Sequence, residues 1–182
     1  MLTDAGGCVY AFRKTVMFNE KEMAMATVIG PGDGKAGFLG SIGVRFMIDG
    51  EDAGGRFALV QHLFAPRALA APLHRHHRED EYTYVLFGRI GAVLGDAEVV
   101  AEPGDLVFKP RNQWHTFWNA GDEPAAVLEL ISPAGLEQFF RRLGGLTEPP
   151  TPEQLAEMAA PYQCDADPDG TRRILERHGL TF

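Results

Sequence analysis

Histidines are concentrated in one short stretch of this sequence, where His74, His76 and His77 fall within four positions. His74 and His76 are two residues apart, so on a β-strand both imidazoles project from the same face and His77 projects from the other. The acidic run 79–81 follows at once, and His115 begins a later strand. Two imidazoles on one face, joined by a carboxylate and a third imidazole, would form a mixed nitrogen and oxygen site. Such a site suits a first-row divalent metal: Fe, Mn, Co, Ni, Cu or Zn.

Each of these residues also has an ordinary structural reading. A single histidine on a strand is more often a surface or core residue than a ligand, and an acidic run alone is typical of a solvated turn. His77 is out of phase with the pair, so we expect it to support the site or to lie on the surface. His62 and His178 have no candidate ligand beside them in the sequence, and we expect structural roles for both.

The elements that would position these side chains are short β-type runs separated by turn clusters. Gly95-Asp96, Pro103-Gly104-Asp105 and residues 120–124 are such turns. Many short strands without a helical period between them predict an all-β sandwich or barrel. The predicted strands are Val44–Ile48, Arg56–Phe64, Tyr82–Phe87, Ile90–Leu94, Ala97–Val100, Leu106–Lys109, His115–Trp118 and Ala126–Ile131.

After residue 131 the pattern becomes helical. Ser132-Pro133 predicts an N-cap and the first position of a helix, whose apolar face would include Phe139 and Phe140. Thr151 and Gln154 have the spacing of a capping box that opens a second helix. Residues 168–178, closed by Gly179, predict a third helix.

Size and charge limit the remaining possibilities. The chain has 182 residues, with 17 Lys and Arg against 25 Asp and Glu, for a net charge of −8. An acidic surface repels phosphate backbones, so we expect no nucleic-acid partner. No run approaches the roughly 18 apolar residues of a membrane span, and we expect no membrane partner. Cys8 and Cys164 are far apart and indicate neither a disulfide scaffold nor a cysteine metal site.

These features together predict a cytoplasmic protein with three segments. We expect an N-terminal extension over residues 1–30, a barrel over 31–132, and a helical tail over 133–182 packed on the barrel. Residues 1–22 show no clear period, so their deletion is expected to leave metal content unchanged.

Two spaced motifs resemble those of the cupin superfamily. The first motif of that family is Gly, five residues, His-x-His, three or four residues, Glu, six residues, Gly, and here it runs from His74 through Glu81 to Gly88. Ala68 stands in place of its leading Gly. Counting six residues back from Gly88 selects Glu81 and leaves Glu79 out of register.

The second motif is Gly, five residues, Pro-x-Gly, two residues, His, three residues, Asn. Here it reads Gly104, Pro110, Asn112, His115 and Asn119. Asn112 replaces a glycine, which is tolerable because asparagine enters the left-handed conformation more readily than other side chains.

The resemblance implies a cupin double-stranded β-helix, also called a jelly-roll barrel, followed by the helical tail. It also implies that one divalent transition metal is held by His74, His76, Glu81 and His115. Three His and one Glu leave one or two coordination positions open on an octahedral ion. Catalysis requires such an open position, whereas a closed structural site leaves none.

Three functions fit this implied site. The first is a dioxygenase similar to the quercetin and acireductone dioxygenases of the superfamily, acting on a small enolic or phenolic (flavonol-like) substrate with Glu81 as catalytic base. The second is a non-redox isomerase, lyase or hydrolase in which the metal polarises a carbonyl. The third is a module that binds a small ligand without converting it. Fold does not decide among them.

The strand period also predicts the surroundings of the site. If His115 and Glu81 face inward, Phe117 and Asn119 share the first face and Thr83, Val85 and Phe87 share the second, giving a mostly apolar cavity for a small molecule. Open sheet edges need cover, so we expect a homodimer. Its interface would include residues before 45 and the outward face of Trp114 and Trp118, unless the helical tail covers these two tryptophans instead.

Overall fold

The computed structural model describes residues 28–148 and 150–182. Most of the expected N-terminal extension, including residues 1–22, lies outside the described residues. The chain divides into two units, residues 1–33 and 34–182. In the first, the Asp33 amide donates to the Gly30 carbonyl at 3.1 Å and closes a turn. The second unit carries the candidate site.

Strands dominate the second unit and helices follow them, as the pattern predicts. The strands are β1 (Lys35–Leu39), β2 (Ile42–Ile48), β3 (Ala58–Phe64), β4 (His74–His76), β5 (Asp80–Phe87), β6 (Ile90–Leu94), β7 (Ala97–Ala101), β8 (Leu106–Lys109), β9 (His115–Asn119), β10 (Ala125–Ser132) and β11 (Cys164–Ala166). The helices are α1 (Glu137–Gly144), α2 (Pro152–Ala159) and α3 (Pro168–His178), with a short 3₁₀ turn at Ala160–Tyr162.

The strands form two antiparallel sheets. One has the order β1-β2-β3-β10-β5-β8 and the other β11-β4-β9-β6-β7. Along β5 the burial alternates, with Thr83 and Val85 inside and Tyr84 outside. This period of two places one face of each strand in the core between the sheets. The result is the expected all-β jelly roll of the cupin type.

Phe87 does not face inward as the alternation predicts; it is exposed. On β10, Val127 pairs with Val85 but its neighbour Ala126 pairs with Phe87, so the register shifts by one residue between these pairs. A bulge of this kind reverses which face the following side chain occupies. The inward set on β5 is therefore Glu81, Thr83 and Val85.

The first helix of the tail begins later than predicted. Strand β10 continues through Ser132, whose hydroxyl donates to the Arg56 carbonyl instead of capping a helix. Helix α1 starts at Glu137, and the carboxylate of this residue accepts from the Gly135 amide at 2.6 Å. The predicted cap at Ser132-Pro133 was therefore wrong, while Phe139 is buried as its helical period indicates.

The other two helices of the tail agree with the sequence. Thr151 and Gln154 form the reciprocal capping box at the start of α2. Helix α3 spans Pro168–His178 and ends at Gly179, which has a left-handed φ of 60°. Within residues 28–148 and 150–182, no helix combines the length and the apolar character needed to cross a membrane.

Trp118, expected to cover either the helical tail or a dimer interface, is buried by the tail. It packs in a cluster with Leu69 and Ile174, and its ring centroid lies 4.6 Å from that of His178. Trp118 is therefore not available to a second copy. The guanidinium of Arg75 lies over the ring of Trp114 at 4.8 Å.

Candidate metal centre

Four side chains converge inside the barrel in the arrangement that the motifs imply. His74, His76, Glu81 and His115 each offer one ligand atom, and these atoms lie within 4.8 Å of one another. All four residues are 1 to 8% exposed. Convergence of one carboxylate and three imidazoles at a buried point makes this cluster the candidate metal centre.

Both sheets contribute to this cluster. The three histidines come from β4 and β9, where His74 pairs in register with His115. Glu81 comes from β5 in the other sheet and pairs there with Lys109 of β8. The site therefore lies in the core between the sheets.

Backbone carbonyls orient two of the imidazoles. His74 Nδ1 is 2.6 Å from the Pro72 carbonyl oxygen, and His115 Nδ1 is 3.0 Å from that of Gln113. When Nδ1 carries the proton and donates it to a carbonyl, the lone pair remains on Nε2 and points to the centre. Among the described residues, His76 Nδ1 has no such hydrogen-bond partner.

The separations between donor atoms fit one metal ion. His74 Nε2 lies 3.0 Å from His76 Nε2, and His115 Nε2 lies 3.1 Å from Glu81 Oε2. Two ligands at about 2.1 Å and 90° apart are separated by about 3.0 Å, so these pairs match adjacent positions of an octahedral ion. His76 Nε2 is 3.5 Å from Glu81 Oε1. The residues fit a divalent transition metal.

Burial and mutual charge shift the pKa values of these groups. Burial, followed by the charges of His115 and His76, holds the pKa of His74 well below its usual range. Burial also lowers the pKa of His115, against the opposing effect of Glu81. Burial acts in the same direction on His76, but the charge of Glu81 outweighs it and raises the pKa of His76 to about 10.

Glu81 responds in the opposite sense. Burial alone would raise the pKa of this carboxyl, but the charges of Lys109 and His76 outweigh burial and hold it well below its usual range. Without a metal, Glu81 is therefore an anion that faces the proton on His76. An incoming cation would replace that proton, because imidazole ligands bind metals in the neutral form.

A buried ion pair that the sequence analysis did not identify lies beside Glu81. Lys109 Nζ is 2.9 Å from Glu81 Oε2 and 2.8 Å from Glu129 Oε1. Thr83 Oγ1 donates to Glu129 Oε2 at 2.7 Å. The interior next to the site is therefore charged and polar, where the sequence predicted a mostly apolar cavity.

Burial affects the pKa values of both Lys109 and Glu129. Burial favours neutral Lys109, but attraction to Glu129 and Glu81 outweighs it and raises the pKa of the ammonium. Burial raises the pKa of Glu129 to about 7, against the opposing charge of Lys109.

His62 and Phe117 border this charged region. Burial, followed by the charge of Lys109, lowers the pKa of His62 to about 4, so the imidazole is neutral at pH 7. Its ring centroid lies 6.2 Å from that of Phe117, and Lys109 Nζ lies 4.0 Å from the centroid of the Phe117 ring. The predicted inward orientation of Phe117 is confirmed.

His77 faces away from the site, as its phase on the strand predicts. Its Nε2 is 2.9 Å from Asp165 Oδ2, and its Nδ1 is 2.9 Å from Asn112 Oδ1. Arg75 donates to the same oxygen of Asp165 at 2.8 Å. The tail thus supports the ligand strand β4 through β11, a contact that the sequence analysis did not predict.

The neighbouring acidic residues do not join the four donors. Asp80 pairs with Arg111 at 2.6 Å. Glu79 is buried with one oxygen 3.9 Å from Arg78, and burial raises its pKa. Selection of Glu81 from the acidic run therefore agrees with the geometry.

The remaining motif residues shape the backbone around the ligands. Gly88 has a φ of +80°, and a side chain there would meet Ala125. Asn112 has a φ of 65°, so the predicted left-handed conformation is confirmed. Asn119 Nδ2 donates to the carbonyls of Ala65 and Glu123, at 3.0 and 2.7 Å, and this fixes the turn after β9.

Two antiparallel sheets that enclose three histidines and a glutamate define a cupin-type barrel with a candidate metal centre. Comparisons with known proteins find the same kind of domain in part of this chain. The family model described as "Cupin domain" matches residues 61–131. A search of curated proteins gives no match.

Solved structures resemble this barrel at low sequence identity. The polyketide cyclase RemF from Streptomyces resistomycificus is 27% identical with a TM-score of 0.51, and the match covers 59% of this chain and 80% of that one. An RmlC-like cupin from Shewanella frigidimarina is 17% identical with a TM-score of 0.51, covering 64% of this chain and 99% of that one. The second likeness concerns the fold alone.

Proposed function

We propose that this protein is a metal-dependent dioxygenase that acts on a small enolic or phenolic substrate. The observation that carries the proposal is the convergence of His74, His76, Glu81 and His115 within 4.8 Å. His74, His76 and His115 would hold one divalent transition metal through Nε2, and Glu81 would complete the set. When bound, such an ion supplies a Lewis-acidic contact for a substrate oxygen and, if redox-active, a route for electrons to O2.

Glu81 is proposed to accept the hydroxyl proton of the substrate, because it carries the one carboxylate among the four donors. Its low pKa makes it a weak base, so the transfer would need a substrate hydroxyl whose own pKa a bound metal lowers. Enols and phenols start from a lower pKa than simple alcohols and would need the smaller shift. This reasoning supports the substrate class named above.

A second candidate reaction needs no oxygen. The likeness to the polyketide cyclase RemF, at 27% identity, favours an enzyme that rearranges or cyclises an enolisable substrate. The same residues would hold the metal and accept the proton, and only the fate of the activated substrate would differ.

Oxygen consumption separates the two reactions. We would load the purified protein with each candidate metal, offer flavonols, diketones and phenols, and follow substrate loss with and without oxygen. A dioxygenase consumes oxygen in proportion to substrate loss and stops in its absence. Equal rates without oxygen would replace the proposal with the cyclase or isomerase reaction, and tight binding without conversion would indicate a binding module.

Substitutions of two carboxylates in the same acidic run provide the test and its control. Glu81→Gln removes the proposed base and should abolish turnover even where some metal stays bound. Glu79→Gln changes a carboxyl that is equally buried but outside the four donors, and it should leave turnover within about twofold of wild type. Equal losses in both variants would contradict the role of Glu81.

A further inference from the structure

Three charged side chains are in contact in the barrel interior, and of the three only Glu81 belongs to the four candidate ligands. Lys109 and Glu129 are each 1% exposed. Lys109 Nζ lies between Glu81 Oε2 at 2.9 Å and Glu129 Oε1 at 2.8 Å. Both contacts join an ammonium to a carboxylate oxygen, so charge attraction dominates them.

Burial of these charges lowers the stability of the fold, so a role in the site would explain why they are there. Burying an ion forfeits its hydration, and a buried pair seldom stabilises a fold more than apolar side chains of similar size would. Apolar side chains fill the inward positions next to Glu129 on β10, where Val127 and Ile131 are fully buried. A contribution to the fold alone does not account for the two charges.

A lysine at this position competes directly with a metal. The ammonium and a divalent cation both bind the Glu81 carboxylate, and they repel each other across a short distance of low dielectric. If Glu81 were the only anion beside Lys109, the ammonium would neutralise it and leave little attraction for a metal.

Glu129 removes this conflict. Its Oε1 neutralises Lys109 through a separate contact with Nζ at 2.8 Å, and the Thr83 hydroxyl donates to its second oxygen at 2.7 Å. When both glutamates are ionised, they carry two negative charges against the one positive charge of Lys109, so the group retains one negative charge for a metal.

We propose that Glu129 is a positioning residue that, by neutralising Lys109, keeps Glu81 available as a metal ligand. This inference rests on the proposed metal site. Glu129 is not among the four candidate ligands and acts through its contact with Lys109. In the same arrangement Lys109 holds the Glu81 side chain in place and restrains its affinity for the metal.

Opposite shifts in metal affinity would be the signature of this arrangement. We would measure the dissociation constant of Co²⁺ at pH 8 by competition with a chelator. Glu129→Gln leaves an unneutralised ammonium beside the ion and should weaken binding by at least about tenfold. Lys109→Met removes the competitor and should tighten binding. The double variant K109M/E129Q loses one charge of each sign and should lie within about threefold of wild type.

The Co²⁺ absorption spectrum gives a second readout. Glu81 remains a ligand in each variant, so the visible bands should keep the wild-type pattern once the site is saturated. Glu102→Gln is the matched control, because Glu102 pairs with Arg89 at 2.8 Å on the surface. It makes the same change in net charge and should leave the dissociation constant unchanged.

Several results would overturn the inference. If E129Q and K109M shift the affinity in the same direction, or neither shifts it by more than about twofold, the pair does not act through charge. If E129Q does not fold, K109M and K109M/E129Q carry the test, since losing the Glu129 charge should still weaken binding about tenfold. Wild-type protein that binds no Co²⁺ would refute the proposed metal site itself, a result distinct from equal affinities.

Discussion

Asp165 and Arg75 face each other in register across β11 and β4, and Asp165 Oδ2 lies 2.8 Å from Arg75 Nε. The same oxygen is 2.9 Å from His77 Nε2. One carboxylate of the tail therefore holds the two residues that flank His76. Strand β4 has three residues and only one register pair with β9, so β11 is the main partner of this ligand strand.

Loss of the Asp165 carboxylate should weaken metal binding without unfolding the barrel. Residues that orient ligands typically contribute ten- to hundredfold in metal affinity. Because Asp165 acts one strand away and is partly exposed, we expect Asp165→Ala to weaken binding by about tenfold. Asp169→Ala is the control, because within the described part of the chain Asp169 pairs with exposed Arg172 alone. Chelator competition measures both, and equal affinities would show that β11 does not position His76.

Removal of a ligand should have a larger effect than removal of a neighbouring imidazole. His115→Ala takes away a buried donor whose Nε2 faces Glu81 at 3.1 Å, so metal content measured by mass spectrometry should fall sharply. His77→Ala changes an imidazole that faces Asp165 and Asn112, and metal content should stay nearly intact. Similar losses in both variants would mean that the wrong imidazoles were chosen.

His62 should make the metal-free protein less stable in acid. Burial and Lys109 lower its pKa to about 4 in the folded chain, against an ordinary value of about 6.5 in the unfolded chain. The unfolded chain therefore binds the proton first, and stability falls as the pH drops from about 6.5 to about 4.

Replacement of His62 by Leu should remove this dependence. Between pH 7 and pH 5, the free energy of unfolding should fall by about 2 kcal/mol more in wild type than in His62→Leu. Urea unfolding in the presence of a chelator measures the difference. Parallel losses in the two proteins would show that His62 is not the group that titrates.

The expected homodimer remains a prediction, and the fold directs it to another surface. Trp118 is buried by the tail, whereas Tyr84, Leu106 and Phe108 are 43, 59 and 48% exposed on the outer face of the six-stranded sheet. Strand β8 forms an edge of that sheet, and exposed apolar edges need cover. We expect light scattering to give a dimer mass at micromolar concentration.

A charge on that face tests its role. Leu106→Glu should give a monomer, while Leu146→Glu, which alters another exposed leucine, should leave the dimer intact. A monomer mass for the wild-type protein would refute the dimer.

The four donors were predictable because their spacing matches the two cupin motifs. His74 and His76 share a face through the period of two, and the distance to Gly88 separates Glu81 from Glu79. Helix α3 was equally clear, since Gly179 supplies the left-handed residue that ends it.

Features that depend on tertiary pairing could not be predicted in this way. The predicted strand Leu106–Lys109 is apolar except for its last residue, so the sequence does not indicate which of its side chains face inward. Lys109 therefore resembles the polar residue that often ends a strand. The one sequence feature that indicated this buried ion pair was Glu129, a single charged residue inside an otherwise apolar strand. The bulge before Phe87 and the pairing of β11 with β4 depend on which strands become neighbours, and a local period does not contain that information.

The division of the ligands between the sheets has a kinetic consequence. Three donors belong to the sheet that contains β4 and β9, and the fourth belongs to the sheet that contains β5. A bound ion would therefore fasten the two layers together, so that the layers cannot separate while all four bonds last. Opening of the sandwich would then have to wait until the ion leaves, so amide protons that exchange only through this opening would exchange no faster than the ion leaves.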